Sequence, residues 1–263
     1  MHPVLFRIGG FELRAYGVML VVGIVVSVAL GTREARRVGL PRRQTLDYLL
    51  AMGIGGVLGL FTRALPLRWA LGGFRGGEQL QVWAHHGGAL MAYVLLLAMI
   101  AAQVYARLAH ANAQALADAT APGWLMAVAI WRVGCWLTGC CYGQETDSYL
   151  AINAPGPLGI WAPRYPTQLM ELGYCLAVYA LLMALRRRKP FDGYISKMGV
   201  LLYFGGRLAL TFVRGDNYYL APGLAEMQVY CVALMLYAGW FLAREYWRAQ
   251  RSERNAILRG GAS

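Results

Sequence analysis

Two arginines stand inside runs that are otherwise apolar. Arg132 lies in Ala-Ile-Trp-Arg-Val-Gly-Cys-Trp and Arg207 in Tyr-Phe-Gly-Gly-Arg-Leu-Ala-Leu. A charge held within a bilayer costs about 3 kcal/mol or more, so such a group faces a polar cavity and a partner. Two partners suit a pair of guanidinium groups. One is an intramembrane acid, for which Glu171, near the start of another apolar run, is the obvious candidate. The other is a bound anion, which the scarcity of acids in these runs favours. An anion that enters from a membrane and matches several guanidinium forks is a lipid phosphate.

Other residue types extend this chemistry. Tyr203 precedes Arg207 by four positions, so both project from one helix face and the phenol can reach the same cavity. Tyr16, followed by Gly17, offers a second hydroxyl, although a tyrosine there also fits an interfacial aromatic belt. Arg214 lies just beyond the run that holds Arg207 and is placed to guide an anionic headgroup inward. His86 opens a run through His-Gly-Gly-Ala, where two glycines leave a ligand room to approach the backbone. Histidine moves a proton near neutral pH, and the alternative for His86 is a polar helix-end residue.

The five cysteines do not form a disulfide framework, because an odd number leaves one unpaired and all five fall within or at the ends of apolar runs. Cys135, Cys140 and Cys141 lack the two-pair spacing of a zinc site, and no histidine lies close by in sequence. They read as small packing residues, with a transient thioester or disulfide at Cys140 or Cys141 as the alternative, and no metal is expected.

The elements that must position these residues follow from composition. With 58% hydrophobic and 14% charged residues, the 263-residue chain belongs to the membrane class. Its net charge of +12 excludes little by itself, but the arginines collect in short runs between apolar segments and not along an exposed polar face, which argues against nucleic acid. A bilayer core of about 30 Å needs about 20 mostly apolar residues per helix. Seven windows approach that demand, at residues 15–32, 46–62, 86–108, 121–139, 168–186, 196–213 and 226–244. The expectation is an all-α polytopic membrane protein with about seven transmembrane helices. The first window follows a polar Phe-Arg-Ile-Gly-Gly stretch, has no small-residue cleavage site after it, and is expected to stay as a helix.

Orientation is expected from alternate connections. Arg33, Arg36, Arg37, Arg42 and Arg43, then Arg186 to Lys189, then Arg244, Arg248, Arg251, Arg254 and Arg259 form three basic segments. The intervening segments carry fewer basic residues per length, which predicts a periplasmic N-terminus and a cytoplasmic C-terminus. Residues 1–244 are expected to form one membrane domain, and 245–263 a basic tail on the inner leaflet. Gly53, Gly55, Gly56 and Gly59 mark a helix face open to close packing.

Over nearly its whole length the chain resembles the prolipoprotein diacylglyceryl transferase family. The resemblance rests on His2-Pro3-Val4-Leu5-Phe6-Arg7-Ile8-Gly9, on the Tyr16-Gly17 pair, on His86-Gly87-Gly88, on Arg132 to Gly143, on Arg164-Tyr165-Pro166-Thr167-Gln168-Leu169-Met170-Glu171, and on Tyr203 to Arg214. It implies a multi-pass enzyme of the bacterial inner membrane. The implied reaction moves the diacylglyceryl group of phosphatidylglycerol to the cysteine thiol of a lipoprotein precursor, forming a thioether and releasing glycerol phosphate, with no cofactor.

The resemblance also implies residue roles. His86, Arg132 and Arg207 would be catalytic, and Tyr16, Gly87, Gly143, Glu171, Tyr203 and Arg214 would bind substrate. The family signature Gly-Arg-x-Gly-Asn-Phe-x-Asn-x-Glu-x-x-Gly is altered here. Cys135 and Thr138 replace the two asparagines, Cys140 replaces the glutamate, and Thr211 stands where the family usually has an acid between two arginines. A divergent member with a Gly-Cys-Cys-Tyr-Gly variant is therefore expected. A different acceptor or donor lipid, or a lipid-binding protein without catalysis, stays open.

Overall fold

The computed structural model describes residues 3–9, 11–70, 87–156, 159–217 and 219–260. Among these residues the chain forms seven helices and three two-stranded antiparallel hairpins. A hairpin of β1 (Val4–Ile8) and β2 (Phe11–Arg14) leads into α1 (Ala15–Arg37), followed by α2 (Arg42–Ala70), α3 (Gly87–Leu108) and α4 (Ala113–Thr138). The second hairpin, β3 (Ile152–Pro155) with β4 (Trp161–Arg164), precedes α5 (Thr167–Leu185) and α6 (Tyr194–Thr211). The third, β5 (Tyr219–Ala221) with β6 (Leu224–Ala225), turns the chain into α7 (Glu226–Gly260).

The helices fall on the seven apolar windows, but the expectation of about seven spanning helices is corrected. Among the described residues, four helical stretches are long and apolar enough to cross a membrane: Ala15–Arg37, Arg42–Phe61, Thr167–Leu185 and Glu226–Arg251. Val94–Leu108 is apolar but shorter. Helices α4 and α6 fall outside that set because their interiors carry polar load: Asp118, Thr120 and Arg132 in one, and Ser196, Lys197 and Arg207 in the other. The predicted periplasmic N-terminus and cytoplasmic C-terminus lose their basis as well, because counting alternate connections assumes that every window crosses.

The four spanning stretches carry the surface that a bilayer requires. Val21 and Val25 on α1, Leu50 and Ile54 on α2, and Val232 and Leu236 on α7 are exposed, an arrangement that suits hydrocarbon and not water. The polar-loaded helices sit inside. One core joins Leu125 and Val128 of α4, Val178 and Leu182 of α5, Tyr203 and Phe204 of α6, and Cys231 of α7.

Small residues set how closely α1 and α4 approach. The Trp131 ring occupies the space beside Gly23, and its Nε1 donates to the Leu20 carbonyl at 3.1 Å. A Cβ on Gly123 would stand 2.6 Å from the Ser27 carbonyl oxygen, so no larger residue fits there. Within the glycine-rich second window, Gly55 and Gly59 lie against the α3 backbone near Ala98 and Val94, whereas Gly53 faces open space.

At one end of the bundle the basic connections are tied to acids. Glu34 pairs with Arg186 and, at 2.9 Å, with Arg37. Asp118 accepts the Gly193 and Ser196 amides, both at 2.9 Å, and so caps the start of α6. Asn112 caps α4 through the Ala115 amide and also donates to Asp192. The residues with candidate chemistry gather at the opposite end.

Candidate anion-binding site

The site is built around one buried carboxylate. Glu171 lies in the first turns of α5 and is 1% exposed. Its Oε1 accepts from Arg132 Nη2 at 2.6 Å and from the Tyr203 hydroxyl at 3.0 Å. Arg207 Nε stands 3.8 Å from the same oxygen, and Arg214 Nη1 stands 3.8 Å from Oε2. Four residues expected to meet at a headgroup thus converge on a fifth.

Local packing explains the convergence. Arg132 sits near the end of α4, where Trp131 and Gly134 seat that helix against α1. A Cβ on Gly134 would be 3.3 Å from the Tyr16 Cα and 3.4 Å from its ring, which brings the half-buried Tyr16 against α4 two residues from Arg132. The Tyr174 ring fills the space beside Gly206, and its hydroxyl donates to the Leu202 carbonyl at 2.6 Å. Helices α5 and α6 therefore meet closely at the level of Arg207.

Arg214 is fixed by backbone and side chain together. It forms a bridge with Gly143, and the carboxylate of Asp216 takes two of its donors, Nε at 2.8 Å and Nη2 at 2.6 Å. Gly143 has no room for a side chain, because a Cβ would collide with the Tyr165 carbonyl. The turn between Gly139 and Gly143 is held from α5 as well. Thr167 Oγ1 donates to the Cys141 carbonyl at 2.8 Å, and Gln168 Nε2 donates to the Cys140 carbonyl at 2.7 Å.

The electrostatics leave a surplus of positive charge. Arg132, Arg207 and Arg214 face Glu171 and Asp216, three cations against two carboxylates. Arg207 Nε and Nη1, Arg214 Nη1 and Arg132 Nε are buried without a hydrogen-bond partner among the described residues. Arg207 is 2% exposed and Arg214 3%, so water cannot serve these donors freely. Such an arrangement suits one singly charged anion with several acceptor oxygens, the chemistry of a phosphodiester.

The profile of the prolipoprotein diacylglyceryl transferase family matches residues 3–244. The chain belongs to that family. A phosphatidylglycerol--prolipoprotein diacylglyceryl transferase of Dehalococcoides mccartyi is 28% identical over 97% of this chain and 98% of its own length. One from another strain of that organism is 30% identical over 90% and 91%. A protein of the same name from Symbiobacterium thermophilum is 27% identical over 93% and 94%. The chain is thus a membrane protein with several apolar helices in a family of transferases tied to lipoprotein biogenesis.

Within this diacylglyceryl transferase family member, the expected site residues divide by position. Arg132, Glu171, Tyr203, Arg207 and Arg214 are gathered, with Gly143 bridged to Arg214 and Tyr16 packed on α4. Gly87 is the first residue of α3, while His86 lies outside the described residues.

Three further residues of the site were not read from the sequence. Arg164 is buried, donates to Glu145 at 2.6 Å and to the Gly143 carbonyl at 3.4 Å, and lies over the Tyr142 ring. Asp216 and Gln168 act on Arg214 and on the Cys140 turn. In the sequence, the Arg164-Tyr165-Pro166-Thr167-Gln168 segment stands out only through the family resemblance.

Proposed function

We propose that the protein transfers the diacylglyceryl group of phosphatidylglycerol to the cysteine thiol of a lipoprotein precursor in the bacterial inner membrane, with residues 1–244 as the transferase domain and 245–263 as a basic tail on the membrane surface. The observation that carries this reading is the buried guanidinium surplus around Glu171. In the reaction, the bond between the diacylglyceryl carbon and the phosphate oxygen breaks while a carbon–sulfur bond forms. Glycerol phosphate leaves, and the thiol proton passes to His86 as general base.

Charge grows on the phosphate as the ester bond breaks. Arg132 and Arg207 stabilise it there, and their burial makes each interaction stronger than it would be in water. Arg214, positioned by Asp216 and Gly143, steers the headgroup, while Tyr16, Tyr203 and the backbone at Gly87 bind its oxygens. Glu171 orients the guanidinium groups. No metal or organic cofactor enters this scheme.

Cys135, Thr138 and Cys140, in place of the polar residues of the family signature, favour a second reading in which the protein binds an anionic lipid without turnover. The two readings separate in one assay. Purified protein in phosphatidylglycerol vesicles, given a peptide with a lipobox cysteine, should yield peptide carrying the diacylglyceryl mass. Bound lipid with no modified peptide of any thiol acceptor would leave the second.

A further inference from the structure

Three thiols that are scattered in the linear spacing meet in space. The sulfur atoms of Cys135, Cys140 and Cys141 all lie within 4.8 Å of one another, and none of the three is in a disulfide. The turn after α4 produces this arrangement. Gly139 ends the helix in the left-handed region at φ 74°, and Cys141 takes a left-handed φ of 62° that a side chain rarely adopts. The chain thereby folds back, so that Cys140 and Cys141 return toward Cys135 on the last turn of α4.

We propose that Cys135, Cys140 and Cys141 bind a thiophilic d10 metal ion, Cu(I) or Zn(II). Metal–sulfur bonds of about 2.3 Å in a trigonal plane place sulfur atoms about 4.0 Å apart. As the cluster stands, no two of its sulfur atoms are more than 4.8 Å apart, so little movement is needed to close on an ion. Soft thiolate donors select such ions over Mg(II) or Ca(II).

The surroundings supply what the ligands need. Arg132 Nη1 lies 3.8 Å from Cys135 Sγ, and the surplus positive charge of the adjoining arginines favours anionic sulfur. Thr138 Oγ1 lies 3.4 Å from Cys140 Sγ and orients it. Cys135 is buried, Cys141 half-buried and Cys140 exposed, so an ion has a way in. The backbone is anchored by Thr167 and Gln168, which hold the Cys141 and Cys140 carbonyls.

Binding involves no change in oxidation state: thiol protons leave as metal–sulfur bonds form. Three ligands complete a Cu(I) site, whereas Zn(II) takes a water as its fourth. The inference is independent of the transfer reaction, because its readouts are metal and thiol.

The test uses the full chain, purified and reduced without air, and titrated with Cu(I) and, separately, with Zn(II) against a chromogenic chelator. One equivalent of at least one ion should bind. The C135S/C141S double variant should weaken binding beyond the about 10- to 100-fold that loss of an outer-shell partner costs. The C175S/C231S variant should bind as the parent does. Alkylation mapping on the unaltered chain supplies a second readout that does not depend on how the first variant folds in detergent. One equivalent of metal should shield Cys140 and Cys141 from iodoacetamide and leave Cys175 and Cys231 unaffected. Failure of both ions to bind, retained affinity in C135S/C141S, or unchanged alkylation of Cys140 and Cys141 would each overturn the proposal.

Discussion

Arg132 and Glu171, 39 residues apart in the chain, are joined by a 2.6 Å ion pair buried between α4 and α5. This contact alone would be a structural ion pair, and two further arginines within 4 Å of the same carboxylate make it something else. Glu171 and Asp216 together leave one of the three guanidinium charges without a counter-charge, the deficit that the proposed phosphodiester would offset.

Removing that acid should be costly. Glu171→Gln keeps the shape but leaves Arg132 and Arg207 without their counter-charge, and breaking a buried pair costs about 3–5 kcal/mol. The variant should show a lower thermal unfolding midpoint in detergent than the parent, with a larger share of the loss recovered on adding short-chain phosphatidylglycerol. An unchanged midpoint would show that the pair is not holding the bundle together.

Gly143→Ala drives a methyl group into the Tyr165 carbonyl and pushes apart the bridge to Arg214. Overpacking of this kind costs about 1–3 kcal/mol. Transfer should fall more than tenfold with helix content preserved by circular dichroism, and parent-like turnover would mean the turn relaxes without moving Arg214.

His86→Asn keeps a polar side chain of similar size and removes the proposed base. Phosphatidylglycerol should bind as tightly as to the parent while the transfer rate drops by about 10²–10⁴. A rate equal to the parent's would send the thiol proton directly to the leaving phosphate.

Asp192 reports on the opposite end of the bundle. Its hydrogen bond from Lys189, at 2.7 Å, holds the carboxyl below the usual carboxylate range, supported by Asn112. A depressed folded-state value means that this contribution is present at neutral pH and is lost as pH falls through that value, below about pH 4. The unfolding midpoint of Asp192→Asn should therefore lie below the parent's at pH 7 and approach it in acid. A constant difference from pH 7 to 3 would remove the carboxylate from the docking of this loop.

Much of this was legible from residue types and spacing. The i, i+4 relation of Tyr203 and Arg207 placed both on one face, and both do reach Glu171. Helix positions followed the apolar windows because burial and hydrocarbon both reward the same side chains. The number of spanning helices did not follow, since α4 and α6 combine apolar faces with Asp118, Arg132, Lys197 and Arg207, and a window average does not show which face a charge takes. Arg164 and Asp216 escaped for another reason. Their roles come from short hairpins and turns whose pairing is set by long-range contacts, such as the Gly143 to Arg214 bridge. The meeting of Cys135 with Cys140 and Cys141 depended on two left-handed residues that no spacing rule encodes.

In the proposed reaction the guanidinium surplus grips the donor phosphate during transfer, and Arg207 tests this most directly. Parent protein and Arg207→Ala, each reconstituted in phosphatidylglycerol vesicles with a lipobox peptide, should be compared for glycerol phosphate released per lipidated peptide. The parent should release one for each peptide modified, and Arg207→Ala should release none above background while inserting normally into the vesicles. Equal release by the two proteins would contradict the account.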